Sequence, residues 1–272
     1  MLMKVEGIII HKTPYKERDL ICNVLLRSGR KLSVYFYGGM GGGKNQKGSF
    51  LEIGAMISVE LADRRKKIES ELYMAKEFQL IWISNHIRGN YQAFCLACFY
   101  MEYINKIAIE EHLEDGFDSD QEGIFNVLSN SLFYMDHAIV SEKFNLKSQL
   151  FLFFGKLIIN LGVQPNTEAC LFCEKELSDK EICLFDSQNG GFSCVECSSQ
   201  RDVYLSENKL LQEEFVSSLS LKTNFKKTFT TNFKDYDQVI NIDQGIIEAI
   251  YAYLNYQFGF NKENFKTWKM IC

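Results

Sequence analysis

Along the first 80 residues, apolar and polar positions alternate in short runs. Residues 5–11 are β-branched and apolar, residues 20–27 form a second run behind the turn-like Pro14-Tyr-Lys-Glu-Arg-Asp19, and residues 31–37 form a third behind Ser28-Gly29-Arg30. In the third run Leu32, Val34 and Phe36 fall on one face while Lys31, Ser33, Tyr35 and Tyr37 fall on the other, because side chains alternate along a strand. One face is core; the other is basic and aromatic. Ile57, Val59 and Leu61 alternate in a fourth strand, and the charged turn Asp63-Arg64-Arg65-Lys66-Lys67 leads into a fifth run beginning near Ile68. Five strands with the longest connection between the third and fourth predict a small Greek-key barrel of the OB type, with an SH3-like barrel as the alternative.

From about residue 80 the period changes to that of helices. Phe94, Ala97, Cys98, Met101 and Ile104 recur at helix spacing, as do Ile124, Val127, Leu128 and Phe133, and then Leu150, Phe153, Phe154 and Leu157. Residues 206–219 and 244–258 read as two more helices, the latter with Ile246, Ile250, Tyr253 and Leu254 on one side; residues 115–122 are an acidic linker. The fold class is therefore α+β and multidomain. A barrel occupies residues 1–80, helical segments fill 81–164 and 202–272, and the cysteine-bearing segment 165–201 lies between them. The two prolines, Pro14 and Pro165, both fall at loops or boundaries.

Charge sharpens this division. The 272 residues carry a formal charge of -5 and are 46% hydrophobic, which excludes a disordered chain and an indiscriminate polycation. Residues 1–80 hold 14 Lys+Arg against 9 Asp+Glu, a net of +5; the rest hold 16 against 26, a net of -10. That asymmetry points to an anion-binding module on an acidic body. No apolar stretch reaches the roughly 18–20 residues of a membrane span, since the richest, 150–161, carries Lys156. The opening MLMKVEGIII lacks a secretory architecture, so the expected location is the cytoplasm, with no membrane partner.

In an OB barrel the loops joining strands one and two and strands four and five flank the nucleic-acid face. Here they hold Lys12, Lys16 and Arg18 on one side and Arg64, Arg65, Lys66 and Lys67 on the other. With Tyr35 and Tyr37 between them, they combine phosphate neutralisation with flat surfaces for base stacking, the pairing used for single strands. The run Gly38-Gly-Met-Gly-Gly-Gly43 is not a nucleotide-binding phosphate loop, because Gly43-Lys44 is followed by Asn45 and no helix opens there. It is expected to order on DNA.

Nine cysteines include Cys170-Leu-Phe-Cys173 and Cys194-Val-Glu-Cys197, two pairs with twenty residues between them. Four thiolates from two such pairs match tetrahedral zinc, one ion per chain, with no open position and hence a structural role. Residues 182–186 read as a strand and 187–191 as a turn, so a hairpin brings the pairs together; Cys183 is a strand residue, and Cys95 and Cys98 are core residues of a helix. The enzymatic alternative is a zinc-dependent nucleobase deaminase, because His112-Leu-Glu114 ahead of Cys170 echoes the H-x-E…P-C-x-x-C pattern. Ala169 stands where that pattern has proline, and a fourth thiol would close the position its water needs. No catalytic residues and no turnover are expected.

Taken together, GIIIHKTPYKERDLICNVLLRSGRKLSVYFYGG, Leu161-Gly-Val-Gln-Pro165, the cysteine cluster with Phe185 and Gly190-Gly191-Phe192, and Leu254-Asn-Tyr-Gln-Phe-Gly259 make the chain resemble the bacterial RecO family of DNA repair and recombination mediators, over essentially its whole length. The resemblance implies an OB barrel, a helical body and an inserted zinc knuckle. It also implies binding of single- and double-stranded DNA, annealing of complementary strands, and work with RecR and single-strand-binding protein to load RecA, hence a nucleoid-associated location. It adds Arg30, Lys31, Lys44 and Lys47 to the DNA-contacting residues. Partner proteins are expected on the acidic body, where Lys262, Lys266 and Lys269 near Trp268 form a basic-aromatic patch suited to an acidic tail such as that of single-strand-binding protein.

Overall fold

The computed structural model describes residues 3–41, 48, 50–62, 72–111, 123–178, 181, 183–202, 211–239 and 242–271. They fall into two compact units, 1–142 with 265–272, and 143–264.

The first unit opens with five strands, β1 (Met3–Tyr15), β2 (Asp19–Leu26), β3 (Lys31–Phe36), β4 (Met56–Leu61) and β5 (Tyr73–Trp82), closed into a barrel in the order β1-β2-β3-β5-β4. The long β1 pairs antiparallel with both β2 and β4, while β3 meets β5 in parallel through Val34↔Tyr73 and Tyr35↔Met74. That order is the OB arrangement and removes the SH3-like alternative. The alternation expected in β3 is present: Leu32, Val34 and Phe36 are buried with Val24, Ile57 and Val59, while Lys31, Ser33 and Tyr35 stay partly exposed. Strand β5 is described from Tyr73, so the run expected from Ile68 begins outside the described residues.

Two helices follow, α1 (Tyr91–Ile107) and α2 (Gly123–Val140). The side chain of Asn90 caps α1 by accepting from the amide of Ala93, which satisfies one otherwise orphaned donor. Cys95 is fully buried in α1 and Cys98 partly so, in keeping with a packing role. Residues 109–111 return along the barrel: the amide of Lys31 donates to the Ile109 carbonyl and the amide of Glu111 to the Lys31 carbonyl, each at 2.8 Å. The chain end packs on α1 as well. Phe265 stacks on Tyr103 with ring centroids 4.9 Å apart, and Trp268 lies 5.3 Å from Phe99.

The second unit holds α3 (Leu146–Asn160), the strands β6 (Asn166–Cys170), β7 (Cys183–Asp186) and β8 (Gly191–Cys194), then α4 (Val195–Asp202), α5 (Leu211–Thr230) and α6 (Gln244–Phe258). Helix α6 has the bounds expected from its apolar face. Helix α5 continues beyond Leu219 to Thr230, because Leu221, Phe225 and Thr228 extend a buried stripe through a stretch whose lysines and threonines mask the period. The hairpin β7–β8 was legible, but β6, parallel to β8, was not; a parallel partner carries no turn signal. Among the described residues no helix is long and apolar enough to cross a membrane.

Candidate nucleic-acid face and metal centre

At the tip of β1 and β2, residues 16–18 form a tight turn in which Lys16 takes φ +54°. Tyr15 meets Tyr35 edge to face with centroids 5.8 Å apart, and the Lys16 ammonium lies 5.4 Å from the Tyr15 ring centre. Asp19, only 5% exposed, accepts from the Tyr35 hydroxyl and from the Gly38 amide at 2.8 Å. The Met40 amide donates to the Arg18 carbonyl at 2.9 Å, so the glycine turn after β3 is fastened beside the β1–β2 turn. The Gly38 amide and then the Tyr35 hydroxyl hold the Asp19 carboxyl below its ordinary range, and the same bond is the first cause that pushes the Tyr35 hydroxyl up to about 12. Lys16, Arg18 and Tyr37 are exposed around this cluster, Tyr37 at 84%, just beyond the end of β3.

The other residues expected at this face are placed differently. Lys12 lies on β1 3.7 Å from Glu52, and Arg30 is partly exposed beside the Ser28 hydroxyl. Lys31 turns towards the helices: its ammonium donates to the Asn105 carbonyl near the end of α1 at 2.9 Å and stands 3.4 Å from Glu110. A lysine at the negative end of a helix dipole is stabilising, so Lys31 ties barrel to helix and is not free for phosphate. Lys44, Lys47, Arg64, Arg65, Lys66 and Lys67 lie outside the described residues. Tyr15 and Asp19, which the sequence pattern does not single out, join this candidate cluster; the available signal is their position around the turn Pro14–Asp19 next to basic residues.

The patch expected at the chain end needs correcting at its centre. Trp268 is buried against Phe99, so its ring belongs to the core of the first unit; Lys266 and Lys269 are exposed, while Lys262 falls in the second unit. The carboxylate of Glu102 accepts from the amides of Lys266 and Thr267 at 3.0 Å, which pins this segment down.

In the second unit Cys170, Cys173, Cys194 and Cys197 bring their sulfurs within 4.8 Å of one another. Cys173 and Cys194 are 3.8 Å apart, and metal–sulfur bonds of about 2.3 Å in a tetrahedron put sulfurs about 3.8 Å apart. The donor set therefore fits zinc. Local folding makes the fit: Cys170 ends β6, Glu174 takes φ +58° as the chain reverses, and the Cys194 amide donates to the Cys170 sulfur at 3.3 Å. Burial works to raise the Cys170 thiol, yet the amides of Cys173, Cys194 and Phe172 prevail and bring it down to about 6, favouring the thiolate a metal needs.

The knuckle also rests on the helices of its unit. Phe185 of β7 lies 5.0 Å from Phe192, 6.0 Å from Phe225 and 5.7 Å from Tyr253. Gly190, at φ +68°, turns the hairpin where a Cβ would come 3.1 Å from the Tyr253 hydroxyl. The fully buried Lys222 of α5 donates to the carbonyls of Leu177 and Ser178, both at 2.8 Å.

These features define a class: an OB-barrel protein with an aromatic and cationic turn, whose helical second unit carries a four-cysteine knuckle able to hold a structural metal. No family model matches the chain. Among curated proteins it is similar to the DNA repair protein RecO of Desulfatibacillum aliphaticivorans, 28% identical over 201 residues that cover 70% of this chain and 69% of that one. The same protein of Bacillus mycoides is 26% identical over 248 residues, 87% of this chain and 91% of the other, and that of Bacillus cytotoxicus 26% over 200 residues, 74% and 72%. The chain is thus similar to DNA repair proteins of the RecO family over most of its length, and these relatives support an assignment to that family.

Proposed function

We propose that the chain is a non-enzymatic mediator of DNA repair and homologous recombination. It binds single- and double-stranded DNA, anneals complementary strands, and with RecR helps load RecA on DNA coated with single-strand-binding protein. The observation that supports this best is the joining of Tyr15, Tyr35, Lys16 and Arg18 at one end of the barrel. Aromatic rings accept stacked bases, cations neutralise the backbone, and both act on any sequence. Annealing then needs only that two strands be held close with their bases presented, which lowers an entropic barrier without bond cleavage.

The work is divided by region: the barrel (1–80) grips DNA, the helical parts (81–164 and 202–272) face partner proteins, and the insertion (165–201) holds one structural zinc ion through Cys170, Cys173, Cys194 and Cys197. Exposed Lys266 and Lys269, with Lys262, remain the basic residues we assign to an acidic partner tail, now without Trp268. The site of action is the cytoplasm, at the nucleoid. The deaminase reading is disfavoured because all four thiols converge, which leaves no coordination position for a water; its His112 and Glu114 lie outside the described residues.

The test is titration of fluorescent single-stranded and duplex oligonucleotides across salt, followed by annealing of complementary strands. Binding that weakens steeply with salt, together with accelerated annealing, supports the reading. No binding even at low ionic strength sinks it.

A further inference from the structure

An acidic residue in the middle of a cationic face is an anomaly if its only effect is its charge. Asp19 sits there, buried, between the turn that carries Lys16 and Arg18 and the glycine turn after β3. Its two carboxylate oxygens are both used. One accepts from the Gly38 amide, and the other accepts from the hydroxyl of Tyr35, whose ring is packed against Tyr15. A parallel tie, the Met40 amide to the Arg18 carbonyl, runs between the same two turns. Gly48 also approaches the glycine turn closely: a Cβ there would lie 2.6 Å from the Gly39 carbonyl oxygen.

We propose that Asp19 is the positioning residue of the DNA face: it locks the Tyr35 ring and the glycine turn onto the Lys16–Arg18 turn, so that removing its negative charge weakens DNA binding instead of strengthening it. The inference rests on the DNA-binding reading above. Two physical effects of opposite sign make it decidable. Electrostatics alone predicts that deleting a carboxylate beside Lys16 and Arg18 raises affinity for a polyanion. Preorganisation predicts the reverse, because an unlocked ring and an untied turn must be ordered again when the strand binds. Charge-assisted hydrogen bonds to a buried carboxylate are strong enough for the second effect to win. The high titration of Tyr35 is a consequence of the same bond and provides a spectroscopic handle on it.

The experiment compares the full-length protein with Asp19→Asn and Tyr35→Phe, using a fluorescent oligothymidylate at several salt concentrations and the alkaline absorbance titration of tyrosinate. Asp19→Asn is expected to weaken binding by about tenfold despite the loss of one negative charge, and to bring one high-titrating tyrosine back towards its ordinary value. Tyr35→Phe keeps the ring and every charge while deleting only the hydroxyl; it is expected to lose about two- to threefold in affinity and to lose that titration. Because Tyr35→Phe is so conservative, it decides the matter if Asp19→Asn does not fold. Asp19→Asn binding as tightly as the parent or tighter, or Tyr35→Phe binding unchanged when it alone folds, overturns the inference and leaves the DNA reading standing. A parent protein that ignores the oligonucleotide overturns both.

Discussion

The sulfur of Cys173 stands 3.8 Å from that of Cys194, although twenty residues separate them in the chain. Sulfurs at this spacing across a hairpin suit a tetrahedral metal ion, which would cross-link the knuckle. Stripping the ion with a chelator, or Cys194→Ser, is expected to lower the thermal midpoint of the chain by about 10 °C, the shift that a loss of a few kcal/mol gives at this size. Calorimetry with metal analysis of the purified protein checks it: one equivalent of zinc in the parent, none after the substitution. A metal-free protein with an unchanged midpoint contradicts the structural role.

Lys222 fastens the knuckle from the other side. Its buried ammonium serves the carbonyls of Leu177 and Ser178, so Lys222→Met leaves two acceptors without their donor. A cost of about 2–3 kcal/mol is expected, read as a fall in the urea midpoint at constant slope.

Lys31 and Lys16 are both lysines of the barrel, but the first is held by Asn105 and Glu110 while the second is exposed beside Tyr15. Lys31→Gln breaks the contact with Asn105 and Glu110 and is expected to cost about 1–2 kcal/mol of stability while leaving the salt dependence of DNA binding unchanged. Lys16→Ala is expected to leave stability alone and to reduce the slope of log affinity against log salt by about 0.7 for a single strand. Parallel melts and salt titrations of the two variants separate the roles; equal slopes for both would reject the assignment.

Glu102 supplies a pH dependence. Burial opposes its ionisation, but hydrogen bonds from the Thr267 hydroxyl and from the amides of Thr267 and Lys266 outweigh it and hold the carboxyl below its ordinary value of 4.5. A carboxylate with a depressed folded value contributes its stability above the ordinary value and loses it as the pH falls through the folded one. The segment bearing Trp268 is therefore expected to loosen in acid, below about pH 4.5. In a Trp82→Phe background Trp268 is the remaining tryptophan, and its emission should shift to the red on acidification. In Glu102→Gln that transition should flatten, with a weaker attachment already present at neutral pH.

Alternation in β3, the apolar stripe of α6 and the doubled C-x-x-C were each legible because a local period or spacing encodes them. The residues 31–36 showed which side chains face inward, and the four cysteines declared their chemistry without help. Other features had no local signature. Lys31 looks the same in sequence as Lys16, and only the return of residues 109–111 along the barrel shows that its ammonium ends on a helix carbonyl. Trp268 near three lysines reads as a surface patch until Phe99, far away in the chain, is found against it.

The sequence by itself determined the barrel class, the helical body, the four-cysteine cluster and the charged turn, since each follows from side-chain periodicity or from the valence of a few residues close together in the chain. Only the tertiary structure decided which cations among the described residues are engaged, that Asp19 ties two turns together, and that the knuckle leans on Phe225 and Tyr253. The reason is physical: whether a charge or ring is free depends on partners brought to within a few ångströms by long-range packing, and no local pattern carries that distance.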